Sequence, residues 1–389
     1  MQFSTRMDKL PPYLFAEIER KISERRKAGV DVISLGVGDP DLATPGYIIE
    51  EMQRQLTDPR NHHYPTNWGV PEFGQAASAF YARRFGVEID PEHEFFPALG
   101  SKEALAHLCW SGLDAGDTVL VPDPAYPVYS AASVLVGADV HYMPLTAANG
   151  FLPDLDAIPR DVAHRANLMF ISYPNNPTAG IVEEGSDFFE RVVAFAKEND
   201  IAVVHDNAYS ELTFDGYVAP SFLSTPGAKD VGVEFFSFSK PFNMTGWRVG
   251  FAVGNSQILQ HLWRLKTNLD SGLFEAIQRT AAFILNSPWD FVAEMNTIYK
   301  RRRDLLVEAL RSIGVDSPKP KATIYLWIPV PAGYTSASFA EHVLDQAAVV
   351  ITPGNGYGAA GEGFVRISLT APDDRITEAV ARIQASLKI

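Results

Sequence analysis

The residues with the clearest potential for chemistry are a lysine that closely follows two serines and an arginine a few positions after it. Lys240 lies in Ser237-Phe238-Ser239-Lys240, directly after the apolar run 233–236, and Arg248 follows eight positions later. The apolar run predicts a buried strand, and burial lowers the pKa of a lysine that emerges at its end. A neutral amine is the nucleophile that forms a Schiff base, while Ser237, Ser239 and Arg248 are suited to bind a phosphate. Together these groups indicate pyridoxal phosphate.

Polar residues also follow three other predicted strands. The apolar runs 118–121, 168–172 and 202–205 end at Asp123–Tyr126, Tyr173–Thr178 and Asp206–Tyr209 respectively. Helical patterns alternate with these strands between residues 71 and 266, as in βαβ units. Ligands of an open parallel sheet bind beyond the carboxyl ends of its strands. The sequence therefore predicts one site that collects residues from several strand ends.

Each of these residues matches a part that a pyridoxal-phosphate site requires. A carboxylate such as Asp206 keeps a pyridine nitrogen protonated, and that protonation makes the ring an electron sink. The phenol of Tyr209 and the amide of Asn176 are candidate partners for the phenolic oxygen, and Tyr126 offers a face for stacking. Ser101 and Lys102 open a predicted helix, whose first N–H groups bind phosphate. Taken singly, Asp206 is also explained as a helix cap, Asn176 as a turn residue and Tyr126 as a core aromatic.

Composition limits the classes of function. The chain has 389 residues, a formal net charge of −14 and 46% hydrophobic residues; its length predicts two domains and its composition a soluble globular protein. The first residues form no apolar signal core, so a cytoplasmic location is expected. A run of about 18 apolar residues, which a membrane span requires, is not found. The acidity argues against nucleic-acid binding, and the basic run 300–304 is interpreted as a solvated helix face or a subunit contact.

The single cysteine, Cys109, excludes an internal disulfide and is expected in the core. The pair His62 and His63 has no third ligand nearby, so no metal site is predicted.

The chain changes character after residue 280. Amphipathic helices near 288–313 precede a strand at 322–329, a helix near 337–347, strands at 349–352 and 364–369, and a final helix. That pattern indicates a smaller α+β domain. We expect a large domain over residues 45–280 and a discontinuous small domain made of residues 1–44 and 281–389. The first of these segments contains a predicted helix that begins after Pro11-Pro12.

These motifs, in this order, resemble the fold-type I pyridoxal-phosphate aminotransferases over essentially the whole chain. The resemblance implies an α/β fold, with a large domain built on a mainly parallel seven-stranded sheet sandwiched by helices. It also implies ping-pong transfer between amino acids and 2-oxo acids through a Lys240 aldimine, and a homodimer with shared active sites. It assigns ring contacts to Asp206, Asn176, Tyr209 and Tyr126, and phosphate contacts to Ser101, Lys102, Ser237 and Arg248, beside the hydroxyl of Ser239 named above. Tyr64 is assigned to the phosphate of the neighbouring subunit, and Arg366 and Gly38 to the substrate α-carboxylate.

Several stretches are similar to one subgroup, the LL-diaminopimelate aminotransferases. They include Leu35–Leu42, Asn243–Arg248, Lys266–Gly272 and Gly361–Arg366. The similarity implies glutamate as amino donor, a role in lysine biosynthesis, and substrate contacts from Tyr13, Lys102, Tyr126 and Asn176. The chain departs from the subgroup at Tyr64-Pro65-Thr66-Asn67-Trp68, where better-studied members carry a carboxylate for the distal amine.

Three alternatives stay open from the sequence. The first is an aminotransferase for aspartate, alanine or aromatic substrates. The second is a β-eliminating C–S lyase on the same fold. The third, a non-catalytic regulator that binds the cofactor, is expected to carry a DNA-binding module, for which a helix starting near residue 11 leaves no room.

Overall fold

The computed structural model describes residues 3–10, 14–65 and 68–387, with only the backbone described over 14–17. Tyr13 and Asn67, both singled out from the sequence, lie outside the described residues. Within the described ranges, no helix combines the length and the apolar character that crossing a bilayer requires.

Thirteen helices and twelve strands are assigned in the described part of the chain. The helices are α1 (Leu14–Lys27), α2 (Gly46–Leu56), α3 (Pro71–Phe85), α4 (Ser101–Gly112), α5 (Val128–Val136), α6 (Arg160–Ala163), α7 (Phe188–Asn199), α8 (Ala228–Val231), α9 (Ser256–Lys266), α10 (Glu275–Asn286), α11 (Asp290–Ser312), α12 (Ser336–Ala347) and α13 (Asp373–Ser386). The strands are β1 (Ile33–Ser34), β2 (Phe95–Ala98), β3 (Thr118–Asp123), β4 (Asp139–Pro144), β5 (Ala166–Ile171), β6 (Ala202–Asp206), β7 (Gly232–Ser237), β8 (Gly250–Gly254), β9 (Tyr325–Pro329), β10 (Val349–Val350), β11 (Thr352–Pro353) and β12 (Phe364–Ser368).

Seven of the strands form one sheet in the order β2-β8-β7-β6-β5-β3-β4. Strand β8 pairs antiparallel with both of its neighbours, and the other neighbouring pairs are parallel. The expected mainly parallel seven-stranded sheet is thus confirmed. Strands β4 and β8 were not predicted from the sequence.

Helices cover both faces of this sheet because successive strand residues point to opposite sides. Phe95, on one face, belongs to the same apolar core as α3 and α7, whereas Phe96, on the other, belongs to the core of α4, α5 and α9. Cys109 of α4 is buried in the second core, as expected, and burial raises the pKa of its thiol to about 12. That thiol is therefore protonated and unreactive at neutral pH.

The carboxyl-terminal third forms two smaller sheets. Strands β11, β12 and β9 make an antiparallel sheet, and β10 pairs in parallel with β1 from the start of the chain. The single strand expected at 349–352 is wrong in detail, because it divides at Ile351 between these two sheets. The proposed limits of the two domains stay a prediction.

The basic run 300–304 lies on α11, but its interpretation as a solvated face is wrong for two residues. Arg302 and Arg303 are buried. Arg302 forms ion pairs with Asp41 at 2.7 Å and with Asp373, and Arg303 pairs with Asp215 at 2.7 Å. These arginines hold α11 against neighbouring loops.

A buried glutamate beneath the sheet collects hydrogen bonds from several elements. Glu234 of β7 is 0% exposed. Its carboxylate accepts hydrogen bonds from five groups: Tyr81 Oη, His205 Nδ1, Asn207 Nδ2, Ser221 Oγ and the Phe222 amide. Burial opposes its charge, but the bonds from His205, Asn207 and Tyr81 outweigh burial and lower the pKa of Glu234. Its contribution to stability is therefore present above the ordinary carboxyl pKa and is lost as pH falls below it.

We predict that Glu234→Ala lowers the free energy of unfolding by about 3–5 kcal/mol, because five buried donors lose their acceptor. Denaturant unfolding at neutral pH measures the change. Glu308→Ala, on the exposed side of α11, is the control and should change that free energy by less than about 0.5 kcal/mol. A Glu234→Ala protein as stable as this control would contradict the prediction.

Candidate active site

Lys240 lies three residues beyond the end of β7, as the sequence predicts. Its Nζ donates to the carbonyl oxygen of Gly38 at 2.7 Å. The residue as a whole is half-buried, but its amine end is enclosed, and burial lowers the pKa of Lys240. A larger fraction of the amine is therefore neutral than in a solvated lysine, which favours its use as a nucleophile or base.

Asp206 is the last residue of β6 and is buried. Its Oδ2 accepts a hydrogen bond at 2.8 Å from Tyr129, whose ring stacks on Phe170 with a centroid separation of 4.8 Å. Burial raises the pKa of Asp206 to about 6. Tyr129 was missed from the sequence, although it lies three positions after the predicted stacking residue Tyr126.

The second carboxylate oxygen of Asp206 lacks a hydrogen-bond partner among the described residues. This Oδ1 atom is buried, and a buried carboxylate oxygen without a donor is costly. A cationic N–H group placed against Oδ1 removes that cost and lowers the pKa of the carboxyl group. A protonated pyridine nitrogen is such a group, so the residues present fit pyridoxal phosphate at this end.

The opposite end of the site has the features of a phosphate cradle. Gly100 has a φ of +78°, and α4 begins at the next residue, Ser101. A Cβ atom at position 100 would lie 2.3 Å from Nη2 of Arg248, so only glycine lets the guanidinium lie against the amino terminus of α4. Arg248 is fixed by a bond from Nη1 to the Thr245 carbonyl oxygen at 2.8 Å. Ser237 Oγ accepts from the Ser239 amide at 3.2 Å, which places both serines in one turn.

Arg366 of β12 is a buried guanidinium with a fixed orientation. It is 1% exposed, and it donates at 2.9 Å both to Asn176 Oδ1 and to the Gly36 carbonyl oxygen. The rings of Tyr325 and Tyr357 flank it, with Cζ 4.0 Å and 4.7 Å from their centroids. A guanidinium held in this way has the fork geometry that binds a carboxylate. The sequence analysis identified Arg366 and missed both tyrosines.

Tyr209 contacts Tyr325, one of these two tyrosines. Its hydroxyl oxygen lies 3.0 Å from that of Tyr325 in a buried contact. Burial raises the pKa of Tyr209. Burial acts in the same direction on Tyr325, but the positive charges of Arg366 and Lys240 outweigh it and lower the pKa of Tyr325.

The other residues predicted from the sequence differ in how far the chain encloses them. Tyr126 is half-buried beyond β3, and Lys102 Nζ lies 5.9 Å from the centroid of its ring. Tyr64 is 89% exposed, so its side chain is not enclosed within this chain. The described residues thus bring the predicted lysine, carboxylate, phenol, amide and arginine to the carboxyl-terminal edge of the large sheet.

A family profile described as "Aminotransferase class I and II" matches residues 30–383. The chain belongs to the class I and II aminotransferases. As a member, it is a pyridoxal-phosphate-dependent transaminase, and its substrates are amino acids and 2-oxo acids. The expected fold class, cofactor and type of reaction are thus confirmed.

Curated members of the family are similar to this chain along its length. An LL-diaminopimelate aminotransferase of Moorella thermoacetica is 54% identical over 387 residues, covering 100% of this chain and 99% of the relative. One from Dehalococcoides mccartyi (strain ATCC BAA-2266 / KCTC 15142 / 195) is 51% identical, covering 98% of each chain.

Solved aminotransferase structures share the fold. Substrate-bound BacF from Bacillus subtilis superposes with a TM-score of 0.93 at 38% identity, covering 99% of this chain and 98% of that one. A double mutant of Thermus thermophilus aspartate aminotransferase gives a TM-score of 0.92 at 27% identity, with full coverage of both chains.

Proposed function

We propose that this aminotransferase interconverts LL-diaminopimelate and tetrahydrodipicolinate, with glutamate and 2-oxoglutarate as the second pair, in lysine biosynthesis. The observation that carries the proposal is the full-length identity of 50–54% to relatives named LL-diaminopimelate aminotransferase. The alternative acceptors, aspartate among them, are represented by structural neighbours of lower identity.

We assign the cofactor contacts from the arrangement of buried groups. Pyridoxal phosphate, when bound, supplies an aldehyde carbon that bonds to amines and a pyridine ring that withdraws electrons. Asp206, oriented by Tyr129, keeps a proton on the ring nitrogen. Tyr209 and Asn176 would hold the phenolic oxygen, and Tyr126 would pack against the ring. The phosphate is bound by Ser101, Lys102, Ser237, Ser239 and Arg248 at the start of α4.

Lys240 is assigned as the catalytic residue. Burial gives it a neutral fraction, so its amine would be the group that bonds to the cofactor aldehyde with loss of water, and it would accept the substrate Cα proton. The Gly38 carbonyl oxygen, 2.7 Å from Nζ, keeps the amine over the site while it is not covalently engaged. The same amine would hold that proton and release it on the cofactor side, and we expect ping-pong kinetics because the amino donor and the 2-oxo acid would use one site in turn.

Arg366 is assigned to the α-carboxylate of the substrate. Its bonds to Asn176 and Gly36 fix the plane of the guanidinium, which orients the substrate with its Cα–H toward Lys240. Gly38 is proposed to add a backbone contact, and Lys102 and Tyr126 to contact the substrate beyond Cα. Tyr13 is also proposed to contact the substrate.

The exposure of Tyr64 supports a homodimer with shared active sites. We propose that its hydroxyl binds the cofactor phosphate of the partner subunit. We also propose that residues 45–280 form the cofactor-binding domain, that residues 1–44 and 281–389 form the small domain, and that the enzyme is cytoplasmic.

A half-reaction assay with single amino acids tests the proposed substrates. The purified holoenzyme is mixed with one amino acid and the absorption band of the enzyme-bound cofactor is followed. We expect rapid conversion with LL-diaminopimelate and glutamate, and little with aspartate, alanine or phenylalanine. Lys240→Ala should lower the rate by about a thousandfold or more, since it removes the general base.

The other results of this assay discriminate the alternatives. Conversion with glutamate and not with LL-diaminopimelate contradicts the lysine-pathway assignment and leaves the aminotransferase. Release of pyruvate and ammonia from a cysteine conjugate without any acceptor identifies a C–S lyase. Near-normal turnover by Lys240→Ala contradicts the proposed catalytic residue.

Mixed dimers test the role of Tyr64 across the interface. We expect the Tyr64→Phe homodimer to bind pyridoxal phosphate about tenfold more weakly, because a bond to a charged group is lost. A dimer of one Tyr64→Phe chain and one Lys240→Ala chain, isolated by two affinity tags, should contain one intact site with wild-type affinity. Weakened affinity at that site would place Tyr64 in its own chain's site and contradict the proposal.

A further inference from the structure

Tyr325 contacts both the proposed cofactor side and the proposed substrate side of the site, and no role was predicted for it from the sequence. It is the first residue of β9 and is buried. Its hydroxyl contacts Tyr209, the proposed cofactor-side phenol, and its ring lies 4.0 Å from Cζ of Arg366, the proposed carboxylate group. Tyr209 follows a strand of the seven-stranded sheet, whereas Arg366 and Tyr325 belong to the three-stranded sheet.

The position of the Tyr325 hydroxyl is fixed by close packing against Gly38. A Cβ atom at position 38 would lie 2.1 Å from Tyr325 Oη, so the absence of a side chain there is what admits the phenol. The carbonyl oxygen of the same glycine accepts the hydrogen bond from Lys240 Nζ. Tyr325 is therefore held between the backbone that receives the catalytic amine and the phenol of Tyr209.

We propose that Tyr325 is a positioning residue that orients the Tyr209 hydroxyl toward the cofactor and supports Arg366 against the substrate carboxylate. The inference rests on the proposed function, because the roles of Tyr209 and Arg366 are assigned there. Its hydroxyl acts on the cofactor side through Tyr209, and its ring acts on the substrate side through Arg366. The hydroxyl also faces the Arg366 guanidinium, so substitutions that remove the hydroxyl alone and the whole ring are compared.

The direction of the bond between the two phenols follows from their surroundings. The charged and titratable groups around this pair are Arg366 on β12, Lys240 after β7, Asp206 on β6 and Tyr299 on α11. Arg366 and Lys240 lower the pKa of Tyr325, whereas burial raises that of Tyr209, so Tyr325 is the stronger acid. In the proposed arrangement Tyr325 donates, and Tyr209 keeps its own hydrogen for the phenolic oxygen of the cofactor. A donor bonded into the Tyr209 oxygen also strengthens that second bond.

The test compares Tyr325→Phe, which removes only the hydroxyl, with Tyr325→Leu, which removes the ring as well. Tyr357→Phe is the matched control, because it removes one hydroxyl from the other ring that flanks Arg366. Each holoenzyme is titrated with base while the absorption band of the bound cofactor is followed. The kcat and KM for the amino donor are measured alongside.

We expect the band of Tyr325→Phe to titrate at a pH higher by about half a unit or more, since the ionised phenolic oxygen loses stabilisation equal to about one hydrogen bond. Its kcat should fall, and its KM should rise less than that of Tyr325→Leu, because the ring remains against Arg366. Tyr325→Leu should show the same shift and a KM raised about tenfold through loss of the contact with Arg366. Tyr357→Phe should titrate as wild type.

A Tyr325→Phe band that titrates at the wild-type pH, or at a lower pH, would overturn the cofactor-side role. An unchanged KM in Tyr325→Leu would overturn the substrate-side role. A wild-type protein that forms no titrating band would instead overturn the proposed function on which the inference depends, so the two failures are distinguishable.

Discussion

The burial of the Asp206 carboxylate is the constraint on which the rest of the site depends. A charge in the protein interior is costly unless a cation or several donors face it. Here Tyr129 satisfies one oxygen, and Oδ1 is open toward the proposed ring nitrogen. A cofactor with a basic ring nitrogen, as proposed here, would supply the missing partner of Oδ1.

Hydrogen bonds on the side opposite Asp206 hold the end of β6 in place. His205 and Asn207, the neighbours of Asp206 in sequence, point to the opposite side of β6, where both donate to Glu234. The other ring nitrogen of His205 lies 3.1 Å from the carbonyl oxygen of Tyr173, at the start of the loop that carries Asn176. The buried carboxylate of Glu234 thereby holds the end of β6 and, through His205, the loop that carries Asn176.

The amino-terminal loop joins the two sheets at the site. The Gly36 carbonyl oxygen accepts from Arg366 of the three-stranded sheet, and the Gly38 carbonyl oxygen accepts from Lys240 at the edge of the large sheet. Asp41 anchors the end of the same loop to Arg302. The amine of Lys240 and the guanidinium of Arg366, to which the catalytic and carboxylate-binding roles are proposed, are thus positioned by carbonyl oxygens two residues apart.

Residues at strand ends were predictable, because apolar runs that stop at polar residues are visible in the sequence. Contacts that depend on three-dimensional neighbours were not. Strand β4 was missed since its residues are largely exposed, and β8 because glycines bound it. The sequence does not distinguish Tyr129 and Tyr325 from ordinary core aromatics. Only the fold shows that their hydroxyls contact Asp206 and Tyr209 respectively.

Two further features had no local signal in the sequence. The burial of Arg302 and Arg303 depends on carboxylates more than 80 positions away, Asp41 and Asp215. The role proposed for Tyr64 depends on a second chain. Sequence pattern predicts which strand ends carry polar groups, but it does not show which of these groups meet.

The most direct test of the account measures the protonation state of the cofactor ring. Apoprotein is reconstituted with pyridoxal phosphate that carries a nitrogen isotope label in the ring, and the nitrogen resonance is recorded by NMR at neutral pH in wild type and in Asp206→Asn. We expect a protonated pyridine nitrogen in wild type and an unprotonated one in the variant, whose amide carries no charge. An unprotonated nitrogen in wild type, or a protonated one in Asp206→Asn, would contradict it.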